Sequence, residues 1–459
     1  MGLGVDEGHM IMTHEKDFYA RFFRLTGAIA LQNLILLGVG LCDNMMLGAY
    51  NETAMSGVAV AVQAQFLLQQ TLSGIGTGAA VIAAQYWGKR QTQPIKRVFA
   101  VAFWLALGTG LLFGGLGLFI PERVLRLLTN EPAVVAQGAE YFRTLAPAYP
   151  LFALSHVGIA MFRSVESPRV GVYLSLASLG LDTALNYIFI FGKLGLPAMG
   201  ARGAAFTSVI SYAVQFALLM VYAARFDKKL KFRLRDCFAV RKSDFRSYAK
   251  TALPLTGSQL SWGLAMNLQS AVLGRLGQGA IAGSAIAAAL FQLVTVVIYA
   301  AASASHVVIG KAVGQGSIPR VKIYTRTLQV LFVGMGLCTA AALFFGRNLI
   351  IGVYSIAPET RALALQFMAV LSVTVIGTSY QMTCLAGIVS GGGDTRFVLI
   401  NDLIFQWGIV LPLSALAAFV WHLPPLWVFI FLKSDQILKC AVAVVKVNRF
   451  KWIRDLTKG

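Results

Sequence analysis

The sequence predicts an all-α polytopic membrane protein with twelve transmembrane helices in two related six-helix lobes. Three observations carry that prediction. Of the 459 residues, 57% are hydrophobic and 13% charged, more apolar surface than a water-soluble chain of this length needs. Stretches such as 98–120 and 325–346 reach the ~20 helical residues that cross about 30 Å of hydrocarbon, whereas the ~10-residue alternation of an outer-membrane barrel is missing. Finally, residues 34–96 slid forward by 226 place Gly48 on Gly274, Gly57 on Gly283 and Gly88 on Gly314, with Leu47 on Leu273, Ala59 on Ala285 and Lys96 on Lys322. These matches fall on turns and segment ends. Duplicated membrane halves frame many secondary transporters, with the substrate site between the repeats.

In chain order, spans one (22–48) and two (55–84) are long apolar runs around a glycine-bearing turn, and the second stops in a basic loop. Spans three (98–120), four (138–163), five (171–191) and six (200–224) complete an N-terminal lobe, residues 1–224. A basic linker follows at 225–247. Spans seven (248–274) and eight (281–310) repeat the opening pair, and nine (325–346), ten (361–389), eleven (397–420) and twelve (425–446) complete a C-terminal lobe, 248–446, before a tail at 447–459. Six spans per half is an even number, so both halves enter the membrane in the same direction. The repeats are then related by a pseudo-twofold axis along the membrane normal.

The net charge of +20 raises nucleic-acid binding, but its distribution argues against it. Lys and Arg gather in alternate loops: Lys89, Arg90, Lys96 and Arg97 in one, Lys311, Arg320 and Lys322 in its repeat mate. Nine more crowd the linker, from Arg225 to Arg246, and Arg449, Lys451, Arg454 and Lys458 lie in the tail. The opposite loops carry few, such as Arg123, Arg126, Lys193 and Arg347. The positive-inside rule therefore puts both termini and the linker in the cytoplasm, with contacts to anionic lipid as a further use of the charge. Residues 1–20 are polar (Asp6, Glu7, Glu15, Lys16, Asp17) and read as no cleavable signal. The five cysteines lack CxxC spacing, which argues against a disulfide framework or zinc site. There is no GxxxxGK[ST] loop, so neither ATP nor any resident cofactor is expected, and an ion gradient is the expected energy source. Gly391-Gly392-Gly393-Asp394 reads as a tight turn between spans ten and eleven.

Charges inside a bilayer cost about 2.5–3.5 kcal/mol each on insertion scales, so each needs a reason. Asp43 stands one to two turns inside the outer end of span one and lands, in the repeat, on uncharged Gln269. Gln32 lies three helical turns earlier on the same face. Span five carries Ser175, Ser178, Asp182 and Asn186 as one stripe, and span six carries Thr207, Ser211 and Gln215. Lipid cannot satisfy such stripes, so they face protein or water; serine and threonine stripes also serve simply to join helices. Asp43, Asp182, Asn186 and Thr207 are the candidate ion-coupling set. Their oxygens suit either a proton held by a buried carboxyl or a bound Na⁺, with Asp43, Asp182 and Asn186 as the metal ligands in the second case. In the second half, Asp402, Lys433 and Asp435 read as structural charges, with Lys433 paired to Asp402 or Asp435. Gln259, Trp262, Asn267 and Gln381 are candidates for a substrate wall, and Gln32, Met46 and Met161 for the opposite wall.

At these residues the chain resembles the multidrug and toxic compound extrusion family. The resemblance rests on Leu31-Gln32-Asn33 through Asp43 and Leu47-Gly48, on Phe162-Arg163 to Arg169, on Leu181 to Gly192, and on Gly391 to Arg396. It implies two six-helix lobes forming a V that export cationic or amphipathic compounds in exchange for Na⁺ or H⁺, with Asp43 central to coupling. In the family's span five an Asn precedes an Asp by four residues. Here Asp182 comes first and Asn186 second, so the carboxylate has moved one turn. The expected activity is thus ion-coupled antiport of small amphipathic or cationic molecules by a monomer in the cytoplasmic membrane, and not enzyme catalysis. A lipid-linked precursor flippase would need Arg and Lys deep in the cavity. A membrane-embedded transferase would need clustered Asp or His, and His156, His306 and His422 stand apart. A receptor or non-transporting scaffold would not need the duplicated halves.

Overall fold

The computed structural model describes residues 12–13, 15–238, 240–352 and 357–457; Asp6, Glu7 and Lys458 lie outside them. The described residues form twelve long helical passes: α1 (Lys16–Tyr50), α2 (Glu52–Gly88), α3 (Thr92–Phe119), α4 (Pro132–Ser164), α5 (Arg169–Phe191), α6 (Gly200–Phe226), α7 (Lys242–Gly274), α8 (Gln278–Gly314), α9 (Ile318–Ile351), α10 (Pro358–Val389), α11 (Thr395–Val420) and α12, in two pieces, Pro425–Lys433 and Asp435–Asn448. Ten of the described helices are long and apolar enough to cross a membrane. The exceptions fall on α7, diluted by Gln259, Asn267 and Gln269, and on α12, interrupted at Ser434. In lipid only such internally bonded backbone is tolerated.

The duplication extends through the whole chain. The first six passes begin at Lys16, Glu52, Thr92, Pro132, Arg169 and Gly200 and the second six at Lys242, Gln278, Ile318, Pro358, Thr395 and Pro425; five intervals are 226 residues and the last is 225. Pro132 and Pro358 open equivalent helices, a position where the missing N–H costs nothing. Within α11, Pro412 removes a backbone donor, and the helix carries wide turns on either side of it, Ile404–Val410 and Leu416–Val420.

The passes pack into two compact units. Unit 1 comprises residues 1–30, 84–90 and 261–459, and unit 2 residues 31–83 and 91–260. These units cut across the halves 1–224 and 248–446, because the first helix of each half is shared. In unit 1, Phe18, Phe22 and Leu25 of α1 pack with Ala301, Ala304 and Val308 of α8 in one buried cluster. In unit 2, Tyr248 of α7 donates its hydroxyl to the Ile75 carbonyl of α2 at 2.8 Å. Gly74 and Gly78 let α2 approach Thr256 and Ala252 so closely that a Cβ on either glycine would overlap them. Residues 248 and 22, like 75 and 301, stand 226 apart, so the two packings are repeat images of one another.

The linker is docked rather than free. Lys96 of α3 donates to the Lys231 carbonyl at 2.9 Å and pairs with Asp236 at 3.0 Å. Trp104 donates to the Cys237 carbonyl at 2.9 Å, and Leu230 and Phe232 are buried. Burial would raise the Asp236 carboxyl, but the Arg233 backbone N–H and Lys96 outweigh it and hold the group below its ordinary value. The tail is docked as well. Trp452 is fully buried over Gly392, and the Arg454 N–H donates to the Gly392 carbonyl at 2.8 Å. Buried Gln85 of α2 clasps the tail through both ends of its amide, donating to the Arg454 carbonyl and accepting from the Leu456 N–H.

Also in unit 1, Gly88 of α2 faces the Lys311 carbonyl of α8 and Gly314 of α8 faces the Gln85 carbonyl of α2, each with no room for a Cβ. This contact is self-complementary under the 226-residue repeat. Small residues that let backbones meet are the usual basis of helix association in lipid. Gly88→Ala and Gly314→Ala should therefore destabilise the protein by similar amounts, about 1–3 kcal/mol each. Thermal unfolding of the two variants in detergent measures this, and equal melting temperatures to the parent would contradict the contact.

Candidate functional site

The polar stripe of α5 faces inward: Ser175, Asp182 and Asn186 are buried, as are Thr207, Ser208, Ser211 and Gln215 of α6. Helices α5 and α6 pack against each other, and Asp43 on the second half of α1 joins them. The Asn186 side-chain amide donates to Asp43 Oδ1 at 2.6 Å and to Asp182 Oδ2 at 3.1 Å. Ser211 donates to the other Asp182 oxygen, Oδ1, at 3.1 Å. Asp43 and Asp182 are themselves within hydrogen-bonding reach of each other. Two carboxylates this close cannot both stay charged without a proton or a cation between them.

The amide nitrogen spends both donors on the two acids, so its oxygen is left over. Asn186 Oδ1 and Thr207 Oγ1 are both buried without a hydrogen-bond partner. Because α5 and α6 are consecutive and antiparallel, one turn on from Asp182 along α5 corresponds to one turn back from Ser211 along α6. Thr207 thus stands at the level of Asn186. Buried polar atoms are almost always satisfied, so two unpaired acceptors beside two acids mark a place suited to a proton or a hard monovalent cation. No group of three or more His, Cys, Asp or Glu able to hold a metal occurs among the described residues; the donor set here is two acids with amide and hydroxyl oxygens.

The other expected site residues are distributed differently. Gln32 is buried and accepts from Arg163 Nη2 at 3.3 Å beside Gly171. Eleven residues from Asp43 along α1 is about 16 Å, so it lies well away from the acid pair. Met161 is packed in the core, and Met46 is half-buried. Gln259 accepts from Gln70 at 3.4 Å within unit 2. Trp262 and Asn267 belong to unit 1, where exposed Asn267 donates to its own helix at Gly263. Gln381 donates to Gln436 Oε1 at 2.9 Å, which also accepts from Thr378 at 3.0 Å.

The pairing expected for Lys433 falls instead to Lys439, which contacts Asp402 at 2.9 Å and Asp435 at 3.5 Å. Lys439 is four residues after Asp435 and shares its helix face, whereas Lys433 is two residues before it and makes no direct ion pair, although the charge of Asp435 still reaches it. Lys433 donates to Gln269 Oε1 at 3.3 Å and lies 5.8 Å from the Phe429 ring centre. A further polar group in unit 2 went unread in the sequence because its members come from three helices, α2, α4 and α6: Gln65 donates to the Tyr212 hydroxyl at 2.8 Å, and Ser73 meets His156 at 3.3 Å.

Removing one partner of a buried ion pair strands the others. Lys439→Met, which leaves Asp402 and Asp435 facing each other, should cost about 3 kcal/mol, at the low end of the range because Asp402 is partly exposed. Thermal unfolding measures the loss, and Asp402→Asn added to Lys439→Met should recover part of it.

Comparison with known proteins follows the same lines. The MatE family model matches the chain twice, over residues 28–188 and 254–416, starts that again lie 226 apart. An uncharacterized transporter YisQ of Bacillus subtilis is 23% identical over 86% of each chain. A multidrug resistance protein MdtK of Edwardsiella ictaluri is 24% identical over 94% of each. Among solved structures, a MOP superfamily transporter from Pyrococcus furiosus, described as having a binding pocket of reversed polarity, superposes with a TM-score of 0.86 at 18% identity, covering 98% of this chain and all of that one. The chain belongs to the MatE family, the multidrug and toxic compound extrusion transporters.

Proposed function

We propose that this protein is a multidrug exporter of a prokaryotic inner membrane that moves amphipathic, cationic compounds outward in exchange for an ion. Relatives named for multidrug resistance match it over most of their length, which supports drug export. The observation that carries the coupling is the Asn186 amide bridging Asp43 and Asp182 beside two unpaired oxygens. The basic loops and linker support an orientation with both termini in the cytoplasm.

The cluster joins three helices through groups whose bonding depends on one positive charge. With a proton or cation present, Asp43 and Asp182 are held together through Asn186, and α1 is tied to α5. With it gone, two adjacent carboxylates repel, and α1 is released from α5. An ion biases the equilibrium only by its differential affinity for the two arrangements, and a shift from 1:99 to 99:1 needs about 5.5 kcal/mol. Repulsion between adjacent acids in a low-dielectric setting is of that order. A cationic substrate drawn to the same acids would compete with the ion, so loading the ion expels the drug.

A proton is the favoured ion, because acids within hydrogen-bonding reach share one without further ligands. Asn186 Oδ1 and Thr207 Oγ1 favour Na⁺ as the second reading. Transport of a fluorescent cationic dye into inside-out vesicles, at fixed pH with and without Na⁺, separates the two. In either case Asp43→Asn should reduce export at least tenfold while leaving expression and melting temperature near the parent's. Undiminished drug resistance in cells carrying that variant would overturn the scheme.

A further inference from the structure

Helix α12 ends in a groove that is apolar along its length and cationic at its mouth. Residues 441, 442, 445, 446 and 449 recur at helical spacing and so share one face of α12. Ala441, Val442 and Val445, with Phe397 of α11, form the apolar wall, and Lys446, Arg449 and Lys451 complete a groove of about 490 Å³ within unit 1. Lys446 stands 21 residues after Pro425, where α12 begins, or about 31 Å along the helix, close to the thickness of the hydrocarbon core. The apolar wall therefore lies among acyl chains and the three cations at headgroup level. Those cations are held in place by the fold. Lys446 pairs with Asp394 at 2.8 Å and lies 4.0 Å from the Phe397 ring centre. Phe450 follows the helix end with a φ of 54°, the left-handed conformation usually left to glycine, and fully buried Trp452 anchors the next turn. Lys451, between them, is thereby kept in the groove that Arg449 lines. Neither Arg449 nor Lys451 has an ion pair among the described residues, and no acid is among the lining residues.

We infer that this groove is a binding site for one anionic phospholipid, with the headgroup phosphate on Arg449 and Lys451 and an acyl chain along Val445, Val442 and Ala441. A concave apolar face inside a bilayer is filled by lipid, so its setting decides the class of occupant and the cations decide the charge. Each Lys or Arg at a membrane surface strengthens attraction to anionic lipid about fivefold. Lys446, balanced by Asp394, walls the groove, while Arg449 and Lys451 carry the selectivity. Under the orientation proposed above, the lipid belongs to the cytoplasmic leaflet, where anionic headgroups face the positive loops. The binding itself depends neither on that orientation nor on the ion site at Asp43.

The test uses the full chain in detergent, titrated with dioleoylphosphatidylglycerol or dioleoylphosphatidylcholine. Native mass spectrometry reads the lipid retained, and thermal unfolding reads its effect on stability. The parent should retain phosphatidylglycerol in preference to phosphatidylcholine and gain several degrees in melting temperature from it. Equal retention of the two lipids overturns the inference. Arg449→Gln with Lys451→Gln should weaken phosphatidylglycerol binding about 25-fold and abolish the preference. The lipid-free melting temperature should stay near the parent's, because both side chains are exposed. As a control for diffuse attraction, Arg235→Gln with Arg246→Gln removes two exposed cations of the linker region; an equal loss of binding there overturns the inference. Ala441→Trp fills the apolar wall and keeps the cations, so it should also lower phosphatidylglycerol retention. Unchanged retention in a folded Ala441→Trp protein overturns the placement of the chain, and if that variant does not fold, the charge variants alone decide. Inorganic phosphate should give no stabilisation, and a shift as large as the lipid's overturns the lipid as occupant. Failure of the proposed exchange activity is distinguishable, because it shows in dye transport and leaves these binding measurements unaffected.

Discussion

One amide holds the centre of unit 2 together. Asn186 is the only side chain that reaches both Asp43 on α1 and Asp182 on α5 among the described hydrogen bonds. It does so at the cost of an unpaired oxygen beside Thr207. In a bilayer an acid pair without compensation would be expelled or neutralised. Here the compensation is a hydrogen-bond donor that is itself neutral, so the pair keeps its appetite for a positive charge. That unmet requirement is what turns a structural contact into a candidate switch.

The rest of the architecture presents this switch on helices that belong to both compact units. Helix α1 begins in unit 1, packed on α8 through Phe18, Phe22 and Leu25, and carries Asp43 in unit 2. Helix α7 runs the opposite course, from Tyr248 in unit 2 to Gln269 in unit 1. The glycines at 88 and 314, with Gln85 gripping the tail, anchor the end of α2 in the same cluster of unit 1.

Charge in unit 1 is arranged on a different plan. Lys439 neutralises Asp402 and Asp435 by direct contact, and the amides of Gln436 and Gln381 with the Thr378 hydroxyl extend that network. Lys433 donates to Gln269 beside this network, within reach of the Asp435 charge. The two repeats thus share a backbone register and differ in charge at equivalent positions, with Asp43 in the first and Gln269 in the second.

Much of this was legible in the chain alone. Apolar runs of spanning length, the 226-residue register and the i, i+4 stripes on α5 and α6 determined twelve helices, their pairing in repeats, and the acids that need a partner, because helix period and the cost of polar groups in lipid are local properties. Asp43, Asp182 and Asn186 were legible as one candidate set, but the bridge that Asn186 makes between the two acids was decided by the tertiary structure. What only the tertiary structure decided were contacts between helices distant in sequence: the exchange of half-helices that makes the units cut across the two halves, Lys439 rather than Lys433 as partner of Asp402, Gln32 held by Arg163, and Gln269 against Lys433. Each depends on the azimuth at which one helix faces another. That angle is set by close backbone approaches such as Gly88 to Lys311, which no single segment encodes.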